Sequence, residues 1–170
     1  MLGIVERLDR TAFLTVGRTR VCVALGRGGV GADKREGDGV TPLGVLTLRR
    51  VLVRADRFAA GELPVLADSV PGGRIAPFDG WCDDPEQANY NTAVTLPFGG
   101  RHERLWREDG LYDIVGVLGW NDAPVIRGRG SAIFLHVVSS GFGPTEGCVA
   151  MARADLLAVL GAGLSGIEVT

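Results

Sequence analysis

The sequence predicts a mostly β fold, a β-rich α+β arrangement in which strands are accompanied by a few short helices. Glycine supports this prediction, because the chain has 26 glycines in 170 residues, about twice the average usage, and glycine is poorly tolerated inside long helices. The apolar stretches point the same way. They are short, rich in β-branched residues and bounded by turn residues, which is typical of strands.

Five apolar stretches are the predicted strands. The first two, residues 13–16 and 20–25, are β-branched and have turn signals on both sides. Residues 45–53 resemble a strand with basic residues at its middle. Residues 111–118 and 132–138 lack polar alternation, so we expect them to be buried strands.

Helices and connections account for the rest of the chain. Residues 153–160 predict a terminal helix that carries three leucines on one face and stops at Gly161, and residues 102–108 predict a short helix. Residues 119–124 are predicted to be a loop from their Gly, Asn, Asp and Pro content. Residues 57–91 are too long for a simple turn, so we expect an excursion from the sheet that forms a lid or wall of a site.

Composition excludes several classes of protein. With 46% hydrophobic and 22% charged residues, the chain is globular, and we expect residues 1–170 to form a single domain. Eighteen basic and twenty acidic residues give a net charge of −2, which provides no overall field for nucleic acid. No apolar run is long enough to span a membrane. His102 lacks a second His at ligand spacing, and the glycine-rich loop lacks a P-loop ending, so no metal or nucleotide cofactor is expected.

The three cysteines leave at least one thiol unpaired. Cys22, Cys82 and Cys148 are far apart and form no CxxC pair, which excludes a zinc ribbon or a thioredoxin motif. At most one disulfide could form, and the remaining thiol is a candidate nucleophile. Cys22 is expected to face the core from its strand, and Cys82 is not expected to be catalytic.

The densest chemistry lies between His136 and Cys148. His136 closes an apolar run, and Cys148 follows Gly147 twelve residues later, after a glycine-rich loop that could fold back on the strand. A cysteine nucleophile needs a neighbouring base, and the N–H groups of Gly147 and Cys148 could form an oxyanion hole. The alternative is a small buried cysteine beside a hydrogen-bonded structural histidine, and spacing alone leaves both open.

These residues resemble the signature of YkuD-type L,D-transpeptidases, which is a His, a variable loop, Ser/Thr-His-Gly-Cys and an apolar residue. Residues 145–149 read TEGCV here, and residues 33–44 read DKREGDGVTPLG, similar to the family's Thr-Pro-x-Gly element. The resemblance covers roughly the whole chain and is to a short, single-domain bacterial member with a YkuD-like β-sandwich of mixed sheets. This sequence departs from the family with Glu146 in place of His, Ala150 in place of Arg or Asn, and a shorter loop.

The resemblance implies a cysteine acyltransferase of peptidoglycan biosynthesis, with roles in cell wall organisation and cell shape. Cys148 would attack the carbonyl of an L-centre in a stem peptide and release a terminal D-amino acid, and His136 would be the base. A second stem would resolve the acyl-enzyme to give a cross-link, whereas water would give L,D-carboxypeptidase activity. Carbapenems are the covalent inhibitors that the family implies.

Several further residues are candidates for substrate binding, each beside a structural alternative. Glu146 could orient His136 or bind the acceptor amine, or it could be satisfied by backbone N–H groups. Arg153 could bind a substrate carboxylate, or it could be a surface residue at the helix start. Trp120 and Asn121 precede the His136 strand and are expected to line the site together with Thr145; large aromatics also fill small cores.

Location and activity remain open at this level. The first residues lack the features of a secretory signal, which favours the cytoplasm, whereas the resemblance implies the periplasm or cell envelope. Three readings follow: an L,D-transpeptidase, a peptidoglycan-binding module with weak or no catalysis, and a cytoplasmic cysteine hydrolase of small peptides or amides. A reactive thiol at Cys148 separates the first from the second, and cell fractionation separates the third.

Overall fold

The protein is built mainly from strands, as predicted, and its computed structural model describes residues 1–8, 11–59 and 61–170. The strands are β1 (Leu2–Leu8), β2 (Thr11–Val16), β3 (Thr19–Val23), β4 (Val30–Gly31), β5 (Thr41–Pro42), β6 (Gly44–Val53), β7 (Gly72–Arg74), β8 (Asp79–Cys82), β9 (Ala93–Thr95), β10 (His102–Arg104), β11 (Ile114–Leu118), β12 (Phe134–Val137), β13 (Val149–Met151) and β14 (Gly166–Val169). The α-helix α1 spans Arg153–Gly161, and a 3₁₀ turn covers Ala55–Arg57.

One nine-stranded mixed sheet forms the body of the molecule. Its order is β13-β12-β11-β6-β14-β1-β2-β3, with β7 paired to β6 beside this path. The pairs β12–β13, β1–β14 and β6–β7 are parallel, and the other pairs in this sheet are antiparallel. All five predicted strands lie in this sheet, and the predicted terminal helix is α1.

The two ends of the sheet meet. An isolated antiparallel bridge joins Ala24, just after β3, to Ala150 in β13, with N–H···O distances of 2.7 and 2.9 Å in the two directions. Edge strands otherwise present unpaired N–H and C=O groups, so this bridge covers part of both edges. The sheet therefore curls around the aliphatic core. It places the loop between β3 and β4, called the glycine-rich loop from here on, beside the end of β13.

Aliphatic side chains fill the space inside the curled sheet. Leu14, Leu46, Leu135 and Ile167 come from four strands, and each is at most 1% exposed. Helix α1 packs Leu156, Val159 and Leu160 into the same core. Burial of such side chains is the main favourable term in folding, about 1.5–3 kcal/mol each.

A smaller sheet stands beside the large one. Its order is β10-β8-β9, with all neighbours antiparallel, and its first strand along the chain arises from the predicted excursion at residues 57–91. Trp81 in β8 packs edge-to-face on Phe134 in β12, with ring centroids 5.3 Å apart. The excursion therefore forms a wall against the large sheet, as expected.

Two expectations about local structure were wrong. Residues 102–108 are not a helix: His102–Arg104 is strand β10, which pairs His102 with Cys82 across the small sheet, and this pairing overrides the local helical pattern. Cys22 does not face the core. Its neighbours Val21 and Val23 are the buried residues of β3, and alternation places Cys22 half-exposed on the opposite face.

No helix within the described residues has the length and apolar character needed to cross a lipid bilayer.

Candidate active site

A cavity of about 640 Å³ lies where the large sheet meets the small one. His136 and Cys148 both line it, as do the predicted Glu146 and Thr145. Charged side chains of both signs share the wall. The remaining lining residues are Lys34, Glu36, Gly37, Asp83, Pro85, Arg101, Glu103, Arg107, Leu111, Tyr112, Ser131, Ala132, Ser139, Gly143, Pro144 and Ala150.

Strand alternation brings the thiol and the imidazole to one face. In the parallel pair β12–β13, Leu135 is opposite Val149 and His136 is opposite Ala150. Leu135 and Val149 point into the aliphatic core, so His136 and Cys148, each one residue away, point to the other face. Cys148 is diagonal to His136 across the pair, and both side chains line the same cavity.

The thiol of Cys148 is held by backbone groups. Its Sγ donates to the carbonyl of Ala132 at 3.2 Å and accepts from the N–H of Phe134 at 3.4 Å. In the described part of the chain, no hydrogen bond joins the thiol to His136. The Phe134 N–H would stabilise a thiolate, whereas the Ala132 carbonyl favours the protonated form, so the resting site holds a thiol.

Burial sets the charge state of this group. Cys148 is 8% exposed, and burial raises the pKa of its thiol to about 12, with the charges of Glu103 and Glu146 acting in the same direction. The Phe134 N–H and the Lys34 ammonium act in the opposite direction. The thiol is therefore neutral near pH 7, and it would have to lose its proton before it could act as a nucleophile.

His136 is arranged as a neutral base. Its Nδ1 lies 2.8 Å from the carbonyl oxygen of Val137, and since a carbonyl only accepts, Nδ1 carries the proton. Burial lowers the pKa of the imidazole, so the ring is uncharged near neutral pH. The lone pair of Nε2 is then available to accept a proton within the cavity.

Two cavity residues that the sequence analysis did not select surround this pair. The ring of Tyr112 packs edge-to-face on His136 with centroids 5.4 Å apart, and its hydroxyl donates to Glu103 at 3.3 Å. Burial raises the pKa of Glu103 and raises that of Tyr112 well above its usual range. Tyr112 precedes its strand and Glu103 comes from the small sheet, so no local pattern links them to residue 136 or 148.

The segment before Cys148 is fixed by two threonines. Thr145 Oγ1 donates to the carbonyl of Cys148 at 2.7 Å and accepts from the N–H of Gly147 at 3.1 Å. Thr41, from the Thr-Pro element, is fully buried and its Oγ1 lies 3.4 Å from the same carbonyl. Because the Gly147 N–H is already bonded, an oxyanion that used it would compete with the Thr145 hydroxyl.

Gly147 is required by its backbone. Its φ of +128° lies in a region that side chains rarely adopt, and a Cβ there would be 2.8 Å from the carbonyl oxygen of Val40. The close approach of residues 40 and 147 joins residues 33–44, here called the Thr-Pro segment, to residues 145–149, here called the cysteine segment. Glycine at this position therefore serves packing as well as any role toward a substrate.

Glu146 has a partner that the sequence analysis did not anticipate. Its two carboxylate oxygens each accept from Nε of Arg27 at 2.8 Å, and both side chains are exposed. It does not contact His136, so the expected orienting role is not supported by this geometry. Its carboxylate still lies at the cavity wall, where a substrate amine could reach it.

Trp120 and Asn121 do not line the cavity, which corrects the expectation for both. The Trp120 indole N–H donates to the carbonyl of Arg129, and the Asn121 side chain bonds the carbonyls of Ile126 and Gly130. Both side chains thus tie down their own loop. Their link to the site is indirect: their carbonyls accept from the side-chain amide of Asn91, each at 2.9 Å.

Asn91 is a buried connector that sequence reasoning missed. Besides those two carbonyls, its Oδ1 accepts from the Trp81 indole at 3.1 Å and from the backbone N–H of Ala132 at 3.1 Å. Ala132 has a φ of +53°, and it is the carbonyl of this residue that faces the thiol. The Asn91 amide therefore holds the peptide that directly precedes the one whose carbonyl accepts from Cys148.

Arg153 also lies away from the cavity. Its guanidinium donates to the carbonyl of Arg57 at 2.8 Å, stacks 4.3 Å from the ring centre of Phe58 and approaches Asp113 at 4.0 Å. These contacts occupy guanidinium N–H groups of Arg153 that a bidentate bond to a substrate carboxylate would need. The expectation that Arg153 binds substrate is corrected, because its side chain joins α1 to the segment after β6.

Comparison with known proteins identifies a family. A family model for the YkuD L,D-transpeptidase catalytic domain matches residues 7–166. Searches of curated proteins and of solved structures returned no match to this chain. The matched range includes the Thr-Pro segment, His136 and Cys148, the same elements that the fold brings to one cavity. The chain therefore belongs to the YkuD family of L,D-transpeptidase catalytic domains.

Proposed function

We propose that the protein is a peptidoglycan L,D-transpeptidase that forms stem-peptide cross-links through an acyl-enzyme on Cys148, with residues 1–170 as one catalytic domain. The observation that carries this proposal is the shared cavity face of Cys148 and His136 in a chain of a family that acts on peptidoglycan stem peptides. A thiol beside a neutral base in a cavity is the arrangement that acyl transfer requires.

Acylation is the first half of this reaction. Sγ of Cys148 attacks the carbonyl carbon of an L-centre, most often the third residue of the donor stem, and its proton passes to Nε2 of His136. The backbone N–H groups of Gly147 and Cys148 stabilise the oxyanion, the former by exchanging its bond to Thr145. His136 then protonates the departing nitrogen, the C–N bond breaks, and the terminal D-amino acid leaves a thioester.

Deacylation decides the product. An amine of a second stem attacks the thioester, His136 accepts its proton, and the C–S bond breaks to restore the thiol and form the new peptide bond. Water in place of the amine gives an L,D-carboxypeptidase. The cavity of about 640 Å³ lies within the usual size range of ligand sites. Cross-linking is the outcome that we propose, because the family is that of the L,D-transpeptidases.

The charges of the wall suit a substrate with both amines and carboxylates. Glu146 and Glu103 provide negative charge next to the thiol, and Arg101 and Arg107 provide positive charge on the side of the small sheet. Thr145 lines the same cavity but uses its hydroxyl to hold the cysteine segment. We propose Glu146 as the contact for the acceptor amine, because it is the exposed carboxylate nearest the nucleophile in sequence.

Location and inhibition follow from the same proposal. The family is generally extracytoplasmic, and we propose that this chain acts in the periplasm or cell envelope.

Carbapenems would acylate Cys148 by opening of the β-lactam ring, since the same thiol and base are available. A mass increase equal to one intact carbapenem on the peptide that contains Cys148 tests this step.

The test of function is incubation of the protein with a disaccharide-tetrapeptide, with products followed by mass spectrometry and Cys148→Ala as the matched control. A cross-linked dimer that has lost a D-amino acid, absent with the variant, supports the transpeptidase, and fragmentation locates the new bond. A trimmed monomer identifies a carboxypeptidase. An unchanged substrate with a thiol that also ignores a carbapenem contradicts both.

A binding module is the second candidate. It is favoured by one observation, the neutral thiol whose pKa burial raises to about 12. Such a protein would hold a stem peptide in the same cavity without turning it over. Binding of the tetrapeptide by calorimetry, equal in the native protein and in Cys148→Ala and without any product, would establish this alternative.

A further inference from the structure

We propose that Lys34 is a positioning residue for the thiolate of Cys148: its buried ammonium stabilises the negative charge that forms on Sγ when the thiol loses its proton. Lys34 lies in the loop between β4 and β5, more than a hundred residues before the cysteine in sequence. The inference rests on the proposed role of Cys148 as nucleophile, and it adds a residue that neither the thiol–imidazole pair nor the cysteine motif contains.

The side chain of Lys34 is packed against the cysteine segment. Lys34 is 4% exposed and lines the same cavity as Cys148. A Cβ built on Gly147 would lie 3.5 Å from Lys34 Cε, and one built on Gly130 would lie 2.9 Å from Lys34 Cγ. The chain of methylenes therefore runs between two glycines, one of which directly precedes the nucleophile.

The ammonium has capacity beyond its present partners. Nζ donates to Asp38 Oδ1 at 2.5 Å and to the carbonyl of Arg35 at 2.9 Å, which uses two of its three N–H groups. Asp38 is itself fixed, because its carboxylate accepts from the backbone N–H groups of Arg35 and Val40. The loop thus holds one cation at a defined place beside the thiol.

The other charged and titratable groups around the thiol explain why a cation is needed there. Glu103 from β10 and Glu146 from the cysteine segment both disfavour a thiolate, and Tyr112 is a buried neutral phenol on the same face. His136 is neutral at rest and becomes a cation only after it accepts the proton. The Lys34 ammonium offsets these carboxylates and acts in the direction of a lower thiol pKa, and Arg101 and Arg107 are further cations on the wall of the same cavity.

The test measures thiolate formation instead of turnover. Iodoacetamide alkylation of Cys148 is followed between pH 6.5 and 10 by mass spectrometry of the Cys148 peptide, which separates it from Cys22 and Cys82. Lys34→Met removes the charge and keeps a similar side-chain volume. We expect it to raise the pKa of the Cys148 thiol by about one unit, which slows alkylation about tenfold at each pH. Lys34→Arg restores the charge and should bring the rate back toward that of the native protein.

Asp38→Asn is the matched variant with the opposite sign. It removes the carboxylate that partly neutralises Lys34 but keeps its shape and an amide oxygen, so alkylation of Cys148 should become faster. If Lys34 and Asp38 only supported the loop, both variants would loosen it, and the alkylation rate of Cys148 would change in the same direction in both. Equal directions, or no change in either, would overturn the proposal. If Lys34→Met fails to fold, an Asp38→Asn variant without faster alkylation overturns it.

The outcome is independent of the proposed reaction. If no cross-linked product forms from the tetrapeptide, but the two variants shift alkylation in opposite directions, the role of Lys34 stands and the assigned activity fails. If product forms and the variants do not shift the alkylation rate, the activity stands and the role of Lys34 fails.

Discussion

The two faces of strands β12 and β13 differ in almost every physical property. On one face Leu135, Val149 and Met151 are fully buried in an aliphatic core. On the other, His136 and Cys148 are nearly as buried but belong to a cluster with aromatic rings and lie at the wall of a charged cavity. Alternation along β12, β13 and the adjoining Cys148 thus places aliphatic residues on one side and the candidate catalytic pair on the other.

The difference is energetic as well as chemical. Burial of a leucine stabilises the fold, whereas burial of a thiol and an imidazole disfavours the charged form of each, so that both are held neutral. At rest, the site therefore holds a protonated thiol beside a neutral imidazole. The cavity face therefore holds the thiol in its less nucleophilic, protonated form, and the core face provides the rigidity that keeps the two groups in place.

His136→Ala tests the chemical face most directly. Because Nε2 of His136 is the proposed base for Cys148, we expect turnover of the tetrapeptide to fall by about 10²–10⁴-fold, the usual contribution of a general base. The measurement is the rate of D-amino acid release at pH 7.5. The chain offers a matched control in His102→Ala, since His102 bonds the carbonyl of Gly100 and does not line the cavity. Equal losses in the two variants would remove the base from the proposal.

Leu135→Ala tests the core face of the same strand. Leu135 is fully buried, so removal of its side chain should lower the free energy of unfolding by about 2–5 kcal/mol. Urea denaturation followed by tryptophan fluorescence measures this change. Val45→Ala, at a residue that is 60% exposed, should change it by about 0.5 kcal/mol or less. A Leu135→Ala protein as stable as Val45→Ala would show that the core face does not determine stability.

Much of the molecule could be predicted from local sequence. The runs that became β2, β3, β6, β11 and β12 are apolar and bounded by turn residues, and the leucines before Gly161 mark α1. His136 and Cys148 could be found because the end of a buried strand and a glycine-preceded cysteine lie close in sequence. The aspect of the site that is local in sequence is the aspect that sequence reasoning recovered.

The rest depends on contacts between distant segments. Tyr112, just before β11, packs on His136, and Glu103 of the small sheet accepts a hydrogen bond from Tyr112. Asn91, at the end of a long excursion, accepts from the N–H of Ala132, the residue whose carbonyl accepts from the thiol. Trp120 and Asn121 were expected at the site because they precede its strand, but their side chains are used to fix their own loop. Proximity in sequence gives no direction for a side chain, and that direction is set by pairing and loop closure.

The pH dependence of stability gives a smaller effect from the cavity face. Burial lowers the pKa of His136 in the folded protein, so the unfolded state binds more protons as the pH falls below the ordinary histidine value of about 6.5. The contribution of this group to stability is therefore fully present above that pH and is lost toward its lower folded pKa. We expect the unfolding free energy to fall between pH 7 and pH 5, less steeply in His136→Ala than in the native protein.

The carboxylates set the lowest pH at which the stability slopes of native protein and variant can be compared. Carboxylates ordinarily titrate at about pH 4, and Glu103, whose pKa burial raises, is present in every variant, so slopes are compared as differences from the native protein at and above about pH 5. A His136→Ala protein with an unchanged slope would mean that the imidazole is as easily protonated in the folded state as in the unfolded chain.

Glu146→Gln has the smallest expected effect on stability and the most specific one on the reaction. The Arg27–Glu146 pair is solvent-exposed on both sides, and exposed pairs contribute little to folding, so the midpoint of urea unfolding should stay unchanged. If Glu146 contacts the acceptor amine, loss of its charge should raise the KM for acceptor several-fold. Because the same charge raises the pKa of the Cys148 thiol, the acylation step that releases the D-amino acid should be no slower in the variant than in the native protein. Arg27→Gln is the informative partner: it frees the carboxylate for the amine, so the KM for acceptor should not rise. A rise in both variants would assign the effect to the ion pair that joins the glycine-rich loop to the cysteine segment, and the role of Glu146 would then be structural.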